Sequence, residues 1–323
     1  MSSFLIRRLL QSVLLMFLLS FVTFSLMGWM PGDPLDVACA ANPQCTPENV
    51  ALMKAQMGLD KPITHRYFVW ASSVITGDLG YSRTYRLPVG DILWPRFGNT
   101  LILGLLSFCL SLIVALPLGM IASLKPRSWA DSVISFFSFM GISAPSFWIG
   151  LMLILIFSVQ LGVLPAGGVE TIGGASMGWF AMIGDRFAHL ILPVLTLSLL
   201  TIAGWLRYVR SSMIEVLRMD FVRTARAKGL SQNQVNFRHA GRNALIPVVT
   251  VIGLSLPGIL SGAVITESVF AYPGMGKLLY DSILNNDFNV AMCCFLISCV
   301  AVLVSSLVVD ILYAVLDPRI RLS

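Results

Sequence analysis

Charge is what this chain has least of. Only 12% of its 323 residues are Asp, Glu, Lys or Arg, while 56% are hydrophobic. A soluble protein of this length could form two domains, but it would need roughly twice this charge to solvate its surface. The shortage excludes soluble enzymes and nucleic-acid binders and leaves chloride channels, receptors, transporters and intramembrane enzymes open. Histidine is rarer still, with three residues, and the six cysteines (Cys39, Cys45, Cys109, Cys293, Cys294, Cys299) show no metal-ligand spacing. Four of the six lie in apolar runs, where cysteine serves as a small core residue. Catalytic sets are missing as well: no His-Glu-x-x-His, Gly-x-Ser-x-Gly or Cys-x-x-Cys occurs. Gly274-Met-Gly-Lys277 looks like a phosphate loop but lacks the first glycine and the Ser/Thr after lysine, so it reads as a turn. The long apolar runs hold almost no ionisable group; His189 and Asp310 lie near the ends of theirs. A proton-coupled carrier keeps acids or histidines at mid-membrane, and an intramembrane protease keeps a catalytic pair there. The energy source is therefore expected on a partner, and this chain is expected not to be an enzyme.

What the chain does have is uncharged runs. Leu9–Met30, Phe97–Leu124, Ser132 to about Leu161, Phe187–Leu206, Asn243–Thr266 and Phe288–Val309 are six of them. Each holds about the 20 apolar residues that cross a bilayer core as a helix, so the spacing predicts an all-α membrane protein of six transmembrane helices. A signal peptide is the rival reading of the first run, with Ala38–Ala40 as its cleavage site. The run is too long for that, and the site lies too far beyond Met30. A lipoprotein reading of Cys39 fails at Asp36, where an apolar residue is wanted.

Six spans place both termini on one side, together with Arg7, Arg8, Lys125, Arg127, Arg319, Arg321 and a loop over 207–242. That loop has eight basic residues against Glu215 and Asp220, a net +6 that equals the charge of the whole chain. The opposite loops near 162–186 and 267–287 hold only Arg186 and Lys277 among several acids. Positive charge stays inside, so the termini and the 207–242 loop are expected in the cytoplasm. The basicity reports topology and requires no nucleic-acid partner. Residues 31–96, rich in Pro, Gly and Asp, form an external subdomain with Tyr67, Phe68, Trp70 and Tyr81 to pack and a helix cap at Thr46-Pro-Glu-Asn49. Cys39 and Cys45 fall in this segment, where an oxidising compartment favours a disulfide over two free thiols. The division is thus 1–30 (cytoplasmic end and first span), 31–96 (external) and 97–323 (core).

In the cytoplasmic loop, Met213, Val216, Leu217 and Phe221 predict a helix over 211–228 that ends at Gly229; a second amphipathic stretch over 232–242 leads to Pro247. A helix lying on anionic lipid would explain the basic residues equally well. It would not explain the small Ala225 and Ala227 beside a helix-ending glycine, which suit close docking into a groove of another protein.

These residues resemble those of the permease subunits of dipeptide, oligopeptide and nickel ABC importers, of the dipeptide-type B kind, over nearly the whole chain. The resemblance rests on Leu5-Ile-Arg-Arg-Leu9, Pro31-Gly-Asp-Pro34, Gly58-Leu-Asp-Lys-Pro62 and Gly77-Asp-Leu-Gly80. It continues in Phe221-Val-Arg-Thr-Ala-Arg-Ala-Lys-Gly-Leu230, His239-Ala-Gly-Arg-Asn-Ala-Leu-Ile-Pro247, Glu267-Ser-Val-Phe-Ala-Tyr-Pro-Gly-Met-Gly276 and Asp317-Pro-Arg-Ile-Arg321. It implies a type I ABC importer permease fold in the inner membrane. It also implies a second permease, two ATP-binding subunits that hold ATP and Mg, an extracytoplasmic substrate-binding protein and surrounding lipid; this chain itself holds no cofactor, metal or catalytic residue. The ATPase-coupling segment it implies comprises Glu215, Phe221, Arg223, Thr224, Ala225, Arg226, Ala227, Lys228, Gly229, Leu230, His239, Arg242, Asn243 and Pro247. Where the general family motif begins Glu-Ala-Ala, this chain has Arg223, Thr224 and Ala225, so a contact relying on that carboxylate is not implied. Peptides are the expected cargo. Nickel or a metal chelate is the alternative within the class, and a membrane sensor or structural subunit the alternative outside it.

Overall fold

A computed structural model describes residues 2–29, 60–173, 178–260 and 263–316, together with Asn49, Leu52, Ala55 and Gly58. The Cys39–Cys45 pair, the cap at Thr46, the Pro31 motif and the Asp317 motif lie outside the described residues. Among those described there is no strand, only an isolated bridge between Tyr81 and Pro88. The helices are α1 (Ser2–Gly28), α2 (Ile63–Ile75), α3 (Val89–Leu124), α4 (Trp129–Ser143) and α5 (Ser146–Leu153), the last continued as a π-helix over Ile154–Gln160. They are followed by α6 (Trp179–Val216), α7 (Asp220–Ala227), a π-helical turn Gln234–Gly241, α8 (Arg242–Leu260), α9 (Val264–Val269), α10 (Met275–Leu284) and α11 (Phe288–Leu316).

Among the described residues, five stretches are each long and apolar enough to cross a membrane: Ile6–Gly28, Val89–Leu124, Trp179–Val216, Gln234–Gly258 and Phe288–Ile311. The expected third span is different, because α4 and α5 meet at an angle of 108°. The break is at Ala144-Pro145. Proline has no N–H for the helix and its ring pushes the preceding residue out of the α region, and Ala144 is accordingly extended, with ψ 132°. Charge gaps alone do not register a proline, which is why the sequence reads as one straight span there.

α6 serves as a ruler for whether this bent pair crosses the membrane. Asp131, in the first turn of α4, bonds Arg210; Ser138 donates to the Ala203 carbonyl at 2.7 Å; Gly141 packs on Ala203. Beyond the bend, Leu153, Ile154 and Phe157 pack in one cluster with Leu192 and Val194. The pair therefore climbs α6 from residue 210 to about 190, which at 1.5 Å per residue is about 30 Å, the thickness of a bilayer core. A re-entrant loop would return to where it started. Counted as one span, the bent pair brings the candidate crossings among the described residues to six.

The chain divides into two compact units, residues 1–97 with 278–300, and 98–277 with 301–323. This differs from the three-part division read from the sequence: the described part of 31–96 shares its core with the first and last spans. Within the first unit, Phe24, Tyr67 and Met292 are buried together, with Phe21, Trp70 and Phe288 packed around them. Tyr67 lies edge-on to Phe21 and Phe24, and its hydroxyl is 2.8 Å from that of Ser20. Phe68 and Tyr81, also expected to pack, are mostly exposed. Asp287 accepts from the Ser82 hydroxyl (2.6 Å) and the Thr84 N–H (3.0 Å), tying the 78–88 loop to the turn before α11. The second unit is built on α6, with α4, α5 and α8 packed along it.

Candidate coupling surface and extracytoplasmic knot

α6 is 38 residues long, about 57 Å at 1.5 Å per residue, so it overruns a bilayer core of about 30 Å and delivers its last turns to the 207–242 side. It stops at Val216. Leu217, Arg218 and Met219 close a turn whose N–H groups bond the carbonyls of Met213, Glu215 and Val216, and the extended Met219 then opens α7. The single helix expected over 211–228 is thus two. The break changes the helical phase, so Phe221 turns outward although the sequence periodicity grouped it with Met213 and Val216.

α7 has only eight residues, too few to be stable alone in water. It is anchored by Val222 and Ala225, which are buried in one cluster with Val209, Met213 and Val216 of α6, Val235 and Ala240 of the π-helical turn, and Ala244 and Val248 of α8. Thr224 donates to the Asp220 carbonyl, and the exposed Arg223–Asp220 pair at 3.4 Å contributes little. Gly229 has φ +78°, a left-handed end to the segment that other residues adopt at a cost of roughly 1 kcal/mol. Ser231 and Gln234 then cap the π-helical turn reciprocally, the Ser231 N–H donating to Gln234 Oε1 and the Gln234 N–H to Ser231 Oγ.

The expected coupling residues accordingly fall into groups. Phe221, Arg223, Thr224, Arg226, Ala227, Lys228, Gly229 and Leu230 are exposed, three of them basic, and nothing lies within 4 Å of where a Cβ at Gly229 would stand. Ala225 does not belong with them. It faces the chain's own core, so its small size serves packing inside the protein rather than the approach of a partner. Glu215 is exposed on α6, before the break. His239 is partly buried in the π-helical turn, where its carbonyl accepts from the Asn243 amide at 2.8 Å; Arg242, Asn243 and Pro247 are exposed on α8.

At the other end of this unit the Glu267–Gly276 motif forms a knot. Glu267 has no exposed surface. Its carboxylate accepts from the Thr100 hydroxyl at 2.7 Å and from the Lys277 N–H at 2.8 Å, so it caps the first turn of α10. The Met275 N–H donates to Thr100 Oγ, the Asn99 amide to the Pro273 carbonyl, and the Tyr272 hydroxyl to the Asn99 carbonyl. Burial, with the Glu267 carboxylate second, pushes the Tyr272 hydroxyl up to about 12. A Cβ at Gly274 would collide with the Glu267 carboxyl, so this glycine is fixed by close approach. The Phe270 ring fills the cluster of Leu103, Leu192 and Tyr272, and its carbonyl accepts from the Gly168 N–H at 2.8 Å. Sequence reasoning noted the motif but gave Glu267 no role, since its partner Thr100 is 167 residues away. It also passed over Asp131, although Ser128-x-x-Asp131 before an apolar run is a helix-start pattern, and Asp131 N–H does bond Ser128 Oγ. Among the described residues no group of three or more His, Cys, Asp or Glu is arranged to hold a metal.

Comparison with known proteins matches this architecture. Residues 115–322 match the family described as binding-protein-dependent transport system inner membrane component, and residues 1–104 match its N-terminal counterpart. The oligopeptide transport system permease protein AppB of Bacillus subtilis (strain 168) is 40% identical over 322 residues, covering 99% of this chain and 100% of that protein. The glutathione transport system permease protein GsiC of Escherichia coli (strain K12) is 37% identical over 321 residues, covering 99% of each. A solved structure of the MetNI methionine ABC transporter in inward-facing conformations shares the fold, with a TM-score of 0.55 at 16% identity over 71% of this chain and 98% of that one. The fold is that of a type I ABC importer permease. With both halves matched and the alignment running nearly end to end, the chain belongs to the inner membrane components of binding-protein-dependent transport systems.

Proposed function

We propose that this chain is one permease subunit of an ATP-driven importer of peptides. In this reading both termini and the 207–242 loop lie in the cytoplasm and the 31–96 segment lies outside; the charge asymmetry supports this, with the bent pair counted as one crossing. A second permease completes the pathway, one of two ATP-binding subunits docks on the exposed face of α7, a binding protein delivers cargo from outside, and lipid surrounds the assembly. The observation that carries the mechanism is the anchoring of α7: Val222 and Ala225 sit in the same cluster as the ends of α6 and α8. Closure of the ATP-binding subunits therefore moves α7, and α7 tilts α6 and α8, exposing the pathway alternately to the two sides. This chain breaks no bond; it is a two-state mechanical element biased by nucleotide and by the loaded binding protein.

Peptides are favoured as cargo because both relatives above are named for peptide substrates, an oligopeptide and the tripeptide glutathione. The test is uptake by proteoliposomes holding this chain with its partner subunits and binding protein. Labelled peptide should accumulate only with ATP inside and binding protein outside. Uptake of a nickel chelate without peptide would contradict the peptide reading. Uptake of neither, in a fully assembled complex, would leave a sensor or structural subunit.

A further inference from the structure

We infer that Asp131 and Arg210 are a positioning pair through which the cytoplasmic end of α6 moves the bent α4–α5 crossing during transport. The inference rests on the coupling role proposed above for α7. Arg210 Nε and Nη2 meet Asp131 Oδ1 and Oδ2 at 2.5 and 2.8 Å, fork against fork. The Asp131 side chain is 5% exposed and that of Arg210 30%. Asp131 also accepts from the Arg127 N–H at 2.8 Å and the Ser135 hydroxyl at 3.3 Å, so four donors fix one carboxylate. Apolar packing lets two helices slide or rotate past one another, whereas a bidentate pair fixes both distance and orientation. The carboxylate is buried and the guanidinium partly exposed, and apolar residues of similar volume often hold helices as firmly, so stability does not explain the pair; a fixed register does.

Its position suits that task. Arg210 follows Val209, which is buried in the cluster that anchors Val222 and Ala225 of α7. From Asp131, α4 is held on α6 again at Ser138 and Gly141, so a displacement of the α6 end reaches the bend at Pro145. Inside the bend is a groove of about 550 Å³, lined almost wholly by apolar side chains that include Phe137, Trp148, Ile149 and Leu199. Its one hydroxyl, that of Ser138, is already bonded to Ala203. The α5 leg therefore has room to swing against α4 without breaking a polar contact in the groove.

The experiment uses the complete transporter in proteoliposomes and reads peptide imported per ATP hydrolysed. Asp131→Asn and Arg210→Gln should each lower that ratio about tenfold while ATP hydrolysis stays within about twofold, and the double variant should be no worse than the poorer single. Arg210→Lys, which keeps the charge but not the fork, should fall between. An unchanged ratio would overturn the link, leaving the pair a structural brace where uptake and hydrolysis fall together, and additive losses in the double variant would overturn it as well. Should Asp131→Asn fail to assemble, Arg210→Lys carries the same decision, since its side chain is partly exposed. Gly229→Trp separates the two ideas: normal assembly and transport in that variant would refute coupling through α7 whatever the pair does.

Discussion

A carboxylate with no exposed surface has to be repaid in hydrogen bonds, and Glu267 shows how. Its acceptors satisfy two donors from elements far apart in sequence, the Thr100 hydroxyl and the Lys277 N–H. Glu267→Ala should leave the buried Thr100 hydroxyl without this acceptor, at about 1–3 kcal/mol, remove the cap on the half-buried Lys277 N–H, and lower the melting temperature of the purified protein. Glu267→Gln keeps the shape and one acceptor oxygen, so it should cost less. Gly274→Ala should destabilise by about 1–3 kcal/mol, because the added methyl meets the carboxyl. Melting curves for Glu267→Ala and Gly274→Ala that coincide with the parent would show that the knot does not hold this end together. The motif stood in plain view in the sequence, but which of its residues mattered did not, because a cap made across the fold leaves no local pattern.

At the scale of elements, α7 is an eight-residue segment whose position depends on two inward side chains. Val222→Ala removes buried methyl groups and should cost about 2 kcal/mol. Ala225→Glu should bury an unpaired carboxylate, so it should lower the yield of folded protein rather than merely block a partner. Ala227→Trp, on the exposed side, should leave the melting curve unchanged and abolish co-purification with the ATP-binding subunit. The reverse pattern, with Ala225→Glu folded normally and Ala227→Trp still bound to its partner, would place the docking face elsewhere. The helix-ending Gly229 was legible because a left-handed residue has a chemical signature. The inward turn of Ala225 was not, since a small residue suits close packing within a chain as well as between chains. The phase of α7 depended on the three-residue break at 217–219, which no glycine or proline announces.

For the whole molecule, the apolar stretches long enough to cross were legible because carrying charge through hydrocarbon costs too much for the chain to hide it. Their ends were less so: α3 and α6 run past the bilayer, where polar residues no longer conflict with helix. The bend at Pro145 escaped a reading by charge, and it bears on the topology, because a re-entrant α4–α5 pair would reverse the side of everything after it. The decisive measurement is labelling of Tyr85→Cys and Gln232→Cys, each alone in a cysteine-free background, with a membrane-impermeant maleimide; both positions are exposed. Six crossings predict that Tyr85→Cys is labelled only from outside and Gln232→Cys only from the cytoplasmic side. Labelling of both from the same side would show that the bent pair does not cross, and would remove the coupling loop from the compartment where ATP is held.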